Sequence, residues 1–304
     1  MISYRCRPLL LSAVLVVPLL AALPASALAA SPKPPANSCG PVAQFSAHHF
    51  PQRPEIDNRW LPLVPWTNTE LRGTVRSDDG KLHQHSIVAT VTDLTKVIDG
   101  VRTLVVFERD LDNGQLQESE LAFEAQDRSG RVWNVGEYPE EYEDGQLAGA
   151  PSTWIAGIAG ARAGIGMLGH PRLHTTAYEQ GRAPTVGFFD CGKVTKTRQQ
   201  VCVPVGCFGN VIVIDEWAPL EPEGGHQLKY YAPHIGTIKV GAVGGDTPEV
   251  LTLVKIGKLG GAALAKIRAQ VIAQDRRGYR VSKKVYGLTP QVQRLTPVHR
   301  HHCR

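Results

Sequence analysis

Residues 87–145 read IVATVTDLTKVIDGVRTLVVFERDLDNGQLQESELAFEAQDRSGRVWNVGEYPEEYEDG, and this stretch decides the fold. It is punctuated by Asp99-Gly100, Asn113-Gly114, Ser129-Gly130 and Asp144-Gly145, and Asp79-Gly80 precedes it. Gly, Asn and Asp accept the positive φ that tight hairpin turns demand. The five signals stand 20, 14, 16 and 15 residues apart, which leaves one strand between successive turns. Ile87–Ile98, Val101–Arg109, Gln115–Gln126 and Arg131–Tyr138 fill those intervals. Leu121, Phe123 and Ala125 alternate with Glu120, Glu124 and Gln126, the pattern of a strand with one buried and one wet face. An antiparallel meander follows.

Further strands read over Lys193–Val203, Cys207–Trp217, His226–Tyr231, Thr237–Val243 and Val250–Ile256. Between the two sets, Gly157, Gly160, Gly164, Gly166, Gly169 and Pro171 thin out the side chains, so Ala150–Pro184 reads as an irregular crossover. Ala262–Asp275 is the one helix, with Ala263, Ile267, Gln270 and Val271 on a face, Gly260-Gly261 before it and Gly278 after it. A sheet of roughly eight to eleven strands curls because strands twist. The expected fold is therefore mainly β (α+β): a curved antiparallel meander or open barrel with one C-terminal helix.

The start of the chain is a targeting signal. Arg5 and Arg7 precede an apolar run from Leu9 to Leu23, and Ala27-Leu28-Ala29 carries the small residues of a cleavage site near Ala29. The run is shorter than the roughly 20 residues of a spanning helix, and no other stretch makes a transmembrane segment. The expected division is 1–29 signal peptide, 30–55 Pro-rich linker, 56–257 β domain and 258–304 basic helix and tail. A secreted, extracytoplasmic protein meets oxidising conditions, and Cys39, Cys191, Cys202, Cys207 and Cys303 survive cleavage. Cys202 and Cys207 oppose each other if Val203-Pro204-Val205-Gly206 forms a hairpin loop, and they are the expected disulfide. If only Pro204–Gly206 turns, Cys202 points to the other face and meets Cys191. Pairing of Cys39, Cys191 and Cys303 stays open.

The 304 residues are 42% hydrophobic and 20% charged, which excludes a disordered tail, a collagen and a coiled coil. The net charge of +5 falls to +3 without Arg5 and Arg7; residues 255–304 contribute +11, so the body carries −8. The basic end either lies against this acidic body or attracts an anionic envelope surface. Tyr279 and Tyr286 are its only aromatics, too few for a nucleic-acid stacking platform.

Several motifs together resemble a family of uncharacterised exported bacterial proteins of actinobacterial type. They are Ile56-Asp57-Asn58 with Pro62-Leu63-Val64-Pro65; Gln126-Asp127 to Gly130 with Val132-Trp133 and Gly136-Glu137; Glu216-Trp217-Ala218-Pro219-Leu220-Glu221-Pro222; and Lys229-Tyr230-Tyr231-Ala232-Pro233 with Gly236. Asp275-Arg276-Arg277, Tyr279 and Val285-Tyr286-Gly287 are similar too. The resemblance implies a secreted β-rich domain and transfers no catalytic residues. Cys202 and Cys207 depart from the family pattern.

Other chemistry is sparse. His83 and His85 share a strand face at the spacing of a zinc or copper pair, but no third ligand follows, and a solvated strand start is the ordinary reading. His299, His301, His302 and Cys303 crowd ligands onto a frayed terminus. Gly164-Ile165-Gly166-Met167-Leu168-Gly169 matches a dinucleotide fingerprint without the strand and helix it needs. Glu137, Glu140, Glu141, Glu143 and Asp144 read as a charged hairpin before they read as a calcium site. His170, His174, Asp190 and Cys191 assemble into a Cys-His site only on paper. Trp133, Trp154, Trp217, Tyr230 and Tyr231 build core, or line a pocket if they face the inside of a curved sheet. The expectation is an exported, non-catalytic binding or envelope-associated protein that takes an apolar small molecule or an anionic surface. It needs no cofactor, metal or nucleic acid. The alternative is an exported, metal-assisted hydrolase whose catalytic residues the sequence does not name.

Overall fold

The computed structural model describes residues 39–76 and 80–295. The chain divides at Pro35/Ala36 into two units, residues 1–35 and 36–304. The first, with the expected signal and its cleavage near Ala29, lies outside the described residues, as do His299, His301, His302 and Cys303.

The second unit runs through β1 (Thr67–Arg76), β2 (Leu82–Ile98), β3 (Val101–Asp112), β4 (Gln115–Gln126), β5 (Val132–Glu143), β6 (Gln146–Gly149), β7 (Trp154–Ile155), β8 (Arg162–Met167) and β9 (Tyr178–Ala183). It continues with β10 (Phe188–Val203), β11 (Gly206–Trp217), β12 (His226–Ala232), β13 (Gly236–Val243), β14 (Glu249–Lys258), α1 (Gly261–Val281) and β15 (Gln293–Arg294). Asp99, Asn113 and Asp144 adopt positive φ, as do the glycines that follow them, so these three hairpins turn where the dipeptides stand.

Twelve of the strands close into an antiparallel barrel in the order β1-β14-β13-β12-β11-β10-β9-β8-β5-β4-β3-β2, with β1 paired back to β2. The expected open barrel is corrected to a closed one. The missing strands were β1 and, inside the Gly-rich crossover, β8 and β9. Glycine there serves close approach rather than irregularity: a Cβ on Gly164 would lie 2.2 Å from the Gln180 carbonyl carbon.

A second layer covers β2–β5 from outside. On β4, Leu121, Phe123 and Ala125 join Val105, Phe107 and Tyr138 beneath Ile267 and Val271 of α1. The buried stripe of the helix is Leu264, Ile267, Val271, Gln274, Asp275 and Gly278, spaced for one face. Each large apolar side chain buried here contributes about 2 kcal/mol. The helix does not stop before Gly278. A Cβ on Gly278 would stand 2.5 Å from the Tyr286 ring, so glycine lets the chain fold back over the helix.

Buried charge fastens this layer. Lys96 Nζ donates to Asp275 Oδ1 at 2.9 Å, Tyr279 Oη at 3.1 Å and the Pro290 carbonyl at 2.7 Å, and sits 4.0 Å from the Tyr286 ring centroid. Arg268 clamps Asp93 and Arg277 clamps Glu140 through two nitrogens each. Part of the basic end is thus spent on the acidic body.

Within the expected linker, Cys39, Phe50 and Pro54 are buried. Phe45 and Phe50 meet the Trp133 ring edge-on, and Cys39 is bonded to Cys191, with Cα atoms 5.3 Å apart. Cys202 is bonded to Cys207 across the β10–β11 hairpin. Val203 faces Gly206, so the turn is Pro204-Val205 alone and the cysteines oppose each other. In the chain-entropy picture the 152-residue closure contributes about 5 kcal/mol and the 5-residue closure about 2 kcal/mol. Two disulfides are the mark of an oxidising, extracytoplasmic compartment. Among the described residues no helix is long and apolar enough to cross a membrane.

Candidate functional site: an acidic barrel lumen

Because side chains alternate along a strand, the faces of β4 and β5 that do not meet α1 point into the barrel. On β4 that face carries Glu118, Glu120 and Glu124, which correct the expected wet face: Glu120 is only 3% exposed. On β5 an extra residue, Val135, interrupts the register opposite Phe123 and Glu124, so that Trp133 and Tyr138 face the outer layer while Glu137 turns inward. Asp190 of β10, Glu216 of β11 and Lys229 of β12 add charge to that interior, beside a buried apolar cluster that includes Val91, Leu104, Met167, Val194, Ile212 and Ile214.

These carboxyls raise one another's pKa values. Glu124 is pushed up to about 8 by burial, then by Glu137 and Glu108. Asp190 is pushed up to about 7 by burial, then by Glu137 and Glu216. Burial with Glu137 and Glu118 holds the Glu120 carboxyl well above its ordinary range. Glu118 is raised to about 8 by burial, Asp110, Glu137 and Glu141. The Tyr231 hydroxyl on β12 is raised by burial and Glu216, and also by Glu124 on β4, halfway round the ring.

Lys229 answers these acids from the wall. Lys229 Nζ lies 2.8 Å from Glu216 Oε2, and Gln180 and Tyr231 donate to Glu216 Oε1 at 3.0 and 3.3 Å. Burial opposes the Lys229 ammonium, but Glu216 and Glu249 outweigh it and raise its pKa. Glu124 Oε2, Tyr178 Oη and Gln180 Oε1 are buried without a hydrogen-bond partner. Such atoms are rare unless a water or guest meets them.

Near the β1 seam stands a second cluster. His85 on β2 is fully buried, with Nδ1 2.5 Å from Asp112 Oδ1 and Nε2 2.9 Å from Glu249 Oε1 and 3.3 Å from Asp110 Oδ1. Burial opposes the imidazolium, yet the three carboxylates raise His85 to about 10. Opposite His85 on β1 is Gly73, where a Cβ would lie 1.9 Å from the Val250 carbonyl oxygen. The missing side chain lets His85 reach over β1 to Glu249. His83, its expected partner, instead meets Asn113. The carboxylate partners of His85 come instead from strands β3 and β14.

The five aromatic candidates do not gather in one pocket. Trp133 lies outside the barrel and donates to Asp127 Oδ2 at 2.9 Å. Trp154 donates to Glu137 Oε2 at 2.9 Å and stacks on Phe188. Tyr231 reaches Glu216, Trp217 stacks on His226, and Tyr230 lies against Lys239. Cys191 is in a disulfide and His170 and His174 are exposed, so the Cys-His arrangement does not form.

The quoted motifs meet in space. The Asn58 backbone N–H donates to Gln126 Oε1 at 2.8 Å, and Gln126 donates to Asp57 at 2.6 Å. Asp127 accepts from Ser129, Arg131 and Trp133, which holds its carboxyl below the usual range although burial opposes this. Glu216 and Lys229, from two further motifs, form the lumen ion pair.

No family model matches the chain, and no curated protein does. Two solved structures are similar. One is a candidate exported protein with a YmcC-like fold from Bacteroides fragilis, 13% identical, covering 66% of this chain and 100% of its own at a TM-score of 0.31. The other is a candidate lipoprotein from Parabacteroides distasonis, 10% identical, with coverage of 66% and 100% and a TM-score of 0.31.

Proposed function

We propose that this is an extracytoplasmic binding protein whose barrel lumen takes a positively charged, hydrogen-bond-donating guest such as an aliphatic amine. The unpartnered inward atoms Glu124 Oε2, Tyr178 Oη and Gln180 Oε1 carry the reading. Two are acceptors and the third is a hydroxyl, and the surrounding carboxyls gain from a cation. An apolar guest would leave them unsatisfied at about 1–3 kcal/mol each. Titration calorimetry of the mature protein with spermidine at low salt is the test. Stoichiometric binding is expected, weakened at least tenfold by Glu120→Gln with Glu124→Gln. Folded protein that ignores spermidine overturns the proposal.

The anionic-surface reading is supported by a different feature. Lys266, Arg276, Arg280, Lys283 and Lys284 are exposed along and just beyond α1. A basic helix face attracts anionic lipid or polymer and is screened by salt. Reversing Arg276, Arg280, Lys283 and Lys284 to Glu should abolish low-salt sedimentation with phosphatidylglycerol vesicles. Unchanged sedimentation would remove this reading.

A further inference from the structure

We infer that a cavity walled by the segment 52–54, β2, β3 and β15 binds the phosphate head of an anionic amphiphile, whose alkyl chain lies in the apolar cavity beside it. The site goes beyond the amine-binding reading and does not depend on it. It takes the opposite charge and uses none of the acidic interior residues.

The first cavity, of about 290 Å³, is lined by Arg53, Thr95, Arg102, Gln293 and Arg294 among others. Strand pairing builds it. Thr95 of β2 stands opposite Gln293 of β15, and Arg102 of β3 stands opposite Val97, two residues along the same face of β2. Arg102 Nη1 thereby reaches Thr95 Oγ1 and Gln293 Oε1, donating to each at 3.2 Å. Both partners are neutral, so the guanidinium is positioned without being neutralised. Its Nε and Nη2 donors have no protein partner among the described residues.

Charge names the head group. Three arginines line this cavity, and among the described residues no Asp or Glu lines it. Neither Arg53 nor Arg294 is paired with a carboxylate among the described residues. Asp93, next to the Arg294 partner Leu94, is already clamped by Arg268. Like charges gathered without a counter-ion repel one another, and an anion relieves them. The planar guanidinium fork matches phosphate oxygens.

The neighbouring cavity names the rest of the ligand. It measures about 550 Å³ and shares Arg53, Pro54 and Leu295 with the first. Ile56, Leu63, Val64 and Pro65 make its wall apolar. The wall is fixed: Leu63 N–H donates to the Ile56 carbonyl at 3.0 Å, and Leu295 N–H to the Asp93 carbonyl at 2.8 Å. Glu55 and Asp57 also line it, both exposed, and they hold an anionic head to the arginine side. Together the two cavities have the size of small-molecule sites, about 300–1,000 Å³. Free phosphate would leave the second cavity unused, and an uncharged amphiphile the first.

The test uses the full mature chain, with dodecyl phosphate below its micelle concentration as the probe. Calorimetry at low salt should find one per chain, bound at least tenfold more tightly than inorganic phosphate or dodecyl maltoside. Arg53→Gln with Arg102→Gln should weaken binding at least tenfold. Reversing Arg276, Arg280, Lys283 and Lys284 to Glu should leave the stoichiometry unchanged. A photoreactive alkyl phosphate on wild type, which needs no variant to fold, should label residues 53–65 or Leu295. Four results overturn the site: no stoichiometric dodecyl phosphate on folded wild type, inorganic phosphate or the maltoside bound as tightly, full affinity in the folded double variant, or labelling confined to other segments.

Discussion

Raising the pH from 5 to 8.5 is expected to lower the melting temperature by roughly 5–15 °C. Glu124 and Asp190 have folded pKa values of about 8 and about 7, above ordinary values of 4.5 and 3.8. Glu120 is shifted the same way by burial, Glu137 and Glu118. Between the ordinary and raised values, the folded state holds protons that the unfolded state has lost. Stability therefore falls as pH rises through this window, opposite to the usual behaviour of an ion-paired carboxylate. With a discount for solvent screening, the expected effect is about 2–4 kcal/mol. Glu124→Gln should flatten the profile by fixing one of these groups as neutral. Scanning calorimetry over that range decides the matter; a melting temperature that is level or rises toward pH 8.5 contradicts the acidic lumen.

The second large effect belongs to the strap over the outer layer. Asp275→Ala removes the carboxylate on which the Lys96 ammonium and the Tyr286 hydroxyl converge, at 2.9 and 2.7 Å. Lys96 is fully buried, so its charge is left uncompensated. Breaking such a pair costs about 3–5 kcal/mol, whereas replacing both partners by apolar groups costs far less. Asp275→Ala should therefore lose that amount in urea unfolding, and Lys96→Met with Asp275→Leu should recover most of it. A single variant within about 1 kcal/mol of wild type would show the network to be dispensable.

What could be read in advance followed local chemistry. The Asp-Gly and Asn-Gly pairs placed hairpins because positive φ is a property of those residues themselves. Alternation on β4 was visible too, but its meaning was not. Glu120 and Glu124 are buried among other carboxyls on the face away from α1, and a solvated sheet face would select the same letters. The strands β8 and β9 were hidden because Gly164 is there for close backbone approach, a demand set by a partner strand. The His85 cluster was out of reach for the same reason. Asp110 and Asp112 lie one hairpin away, but Glu249 joins only through a pairing 164 positions distant. The disulfide of Cys202 and Cys207 was legible since its loop is local; that of Cys39 and Cys191 was not.

The seam at β1 has a consequence in time. Thr67 pairs with Lys258, so the barrel strand nearest the N-terminus is flanked by the one that is made last. A chain emerging N-terminus first carries β1 and β2 as a hairpin long before β14 exists. Until then the growing sheet has two unsatisfied edges, one on β1 and one on its newest strand, each able to recruit a stray partner. Contacts this distant in sequence make closure slow. A chain cut short before Glu249 would be an adhesive open sheet, and only the complete chain has no free edge on the ring.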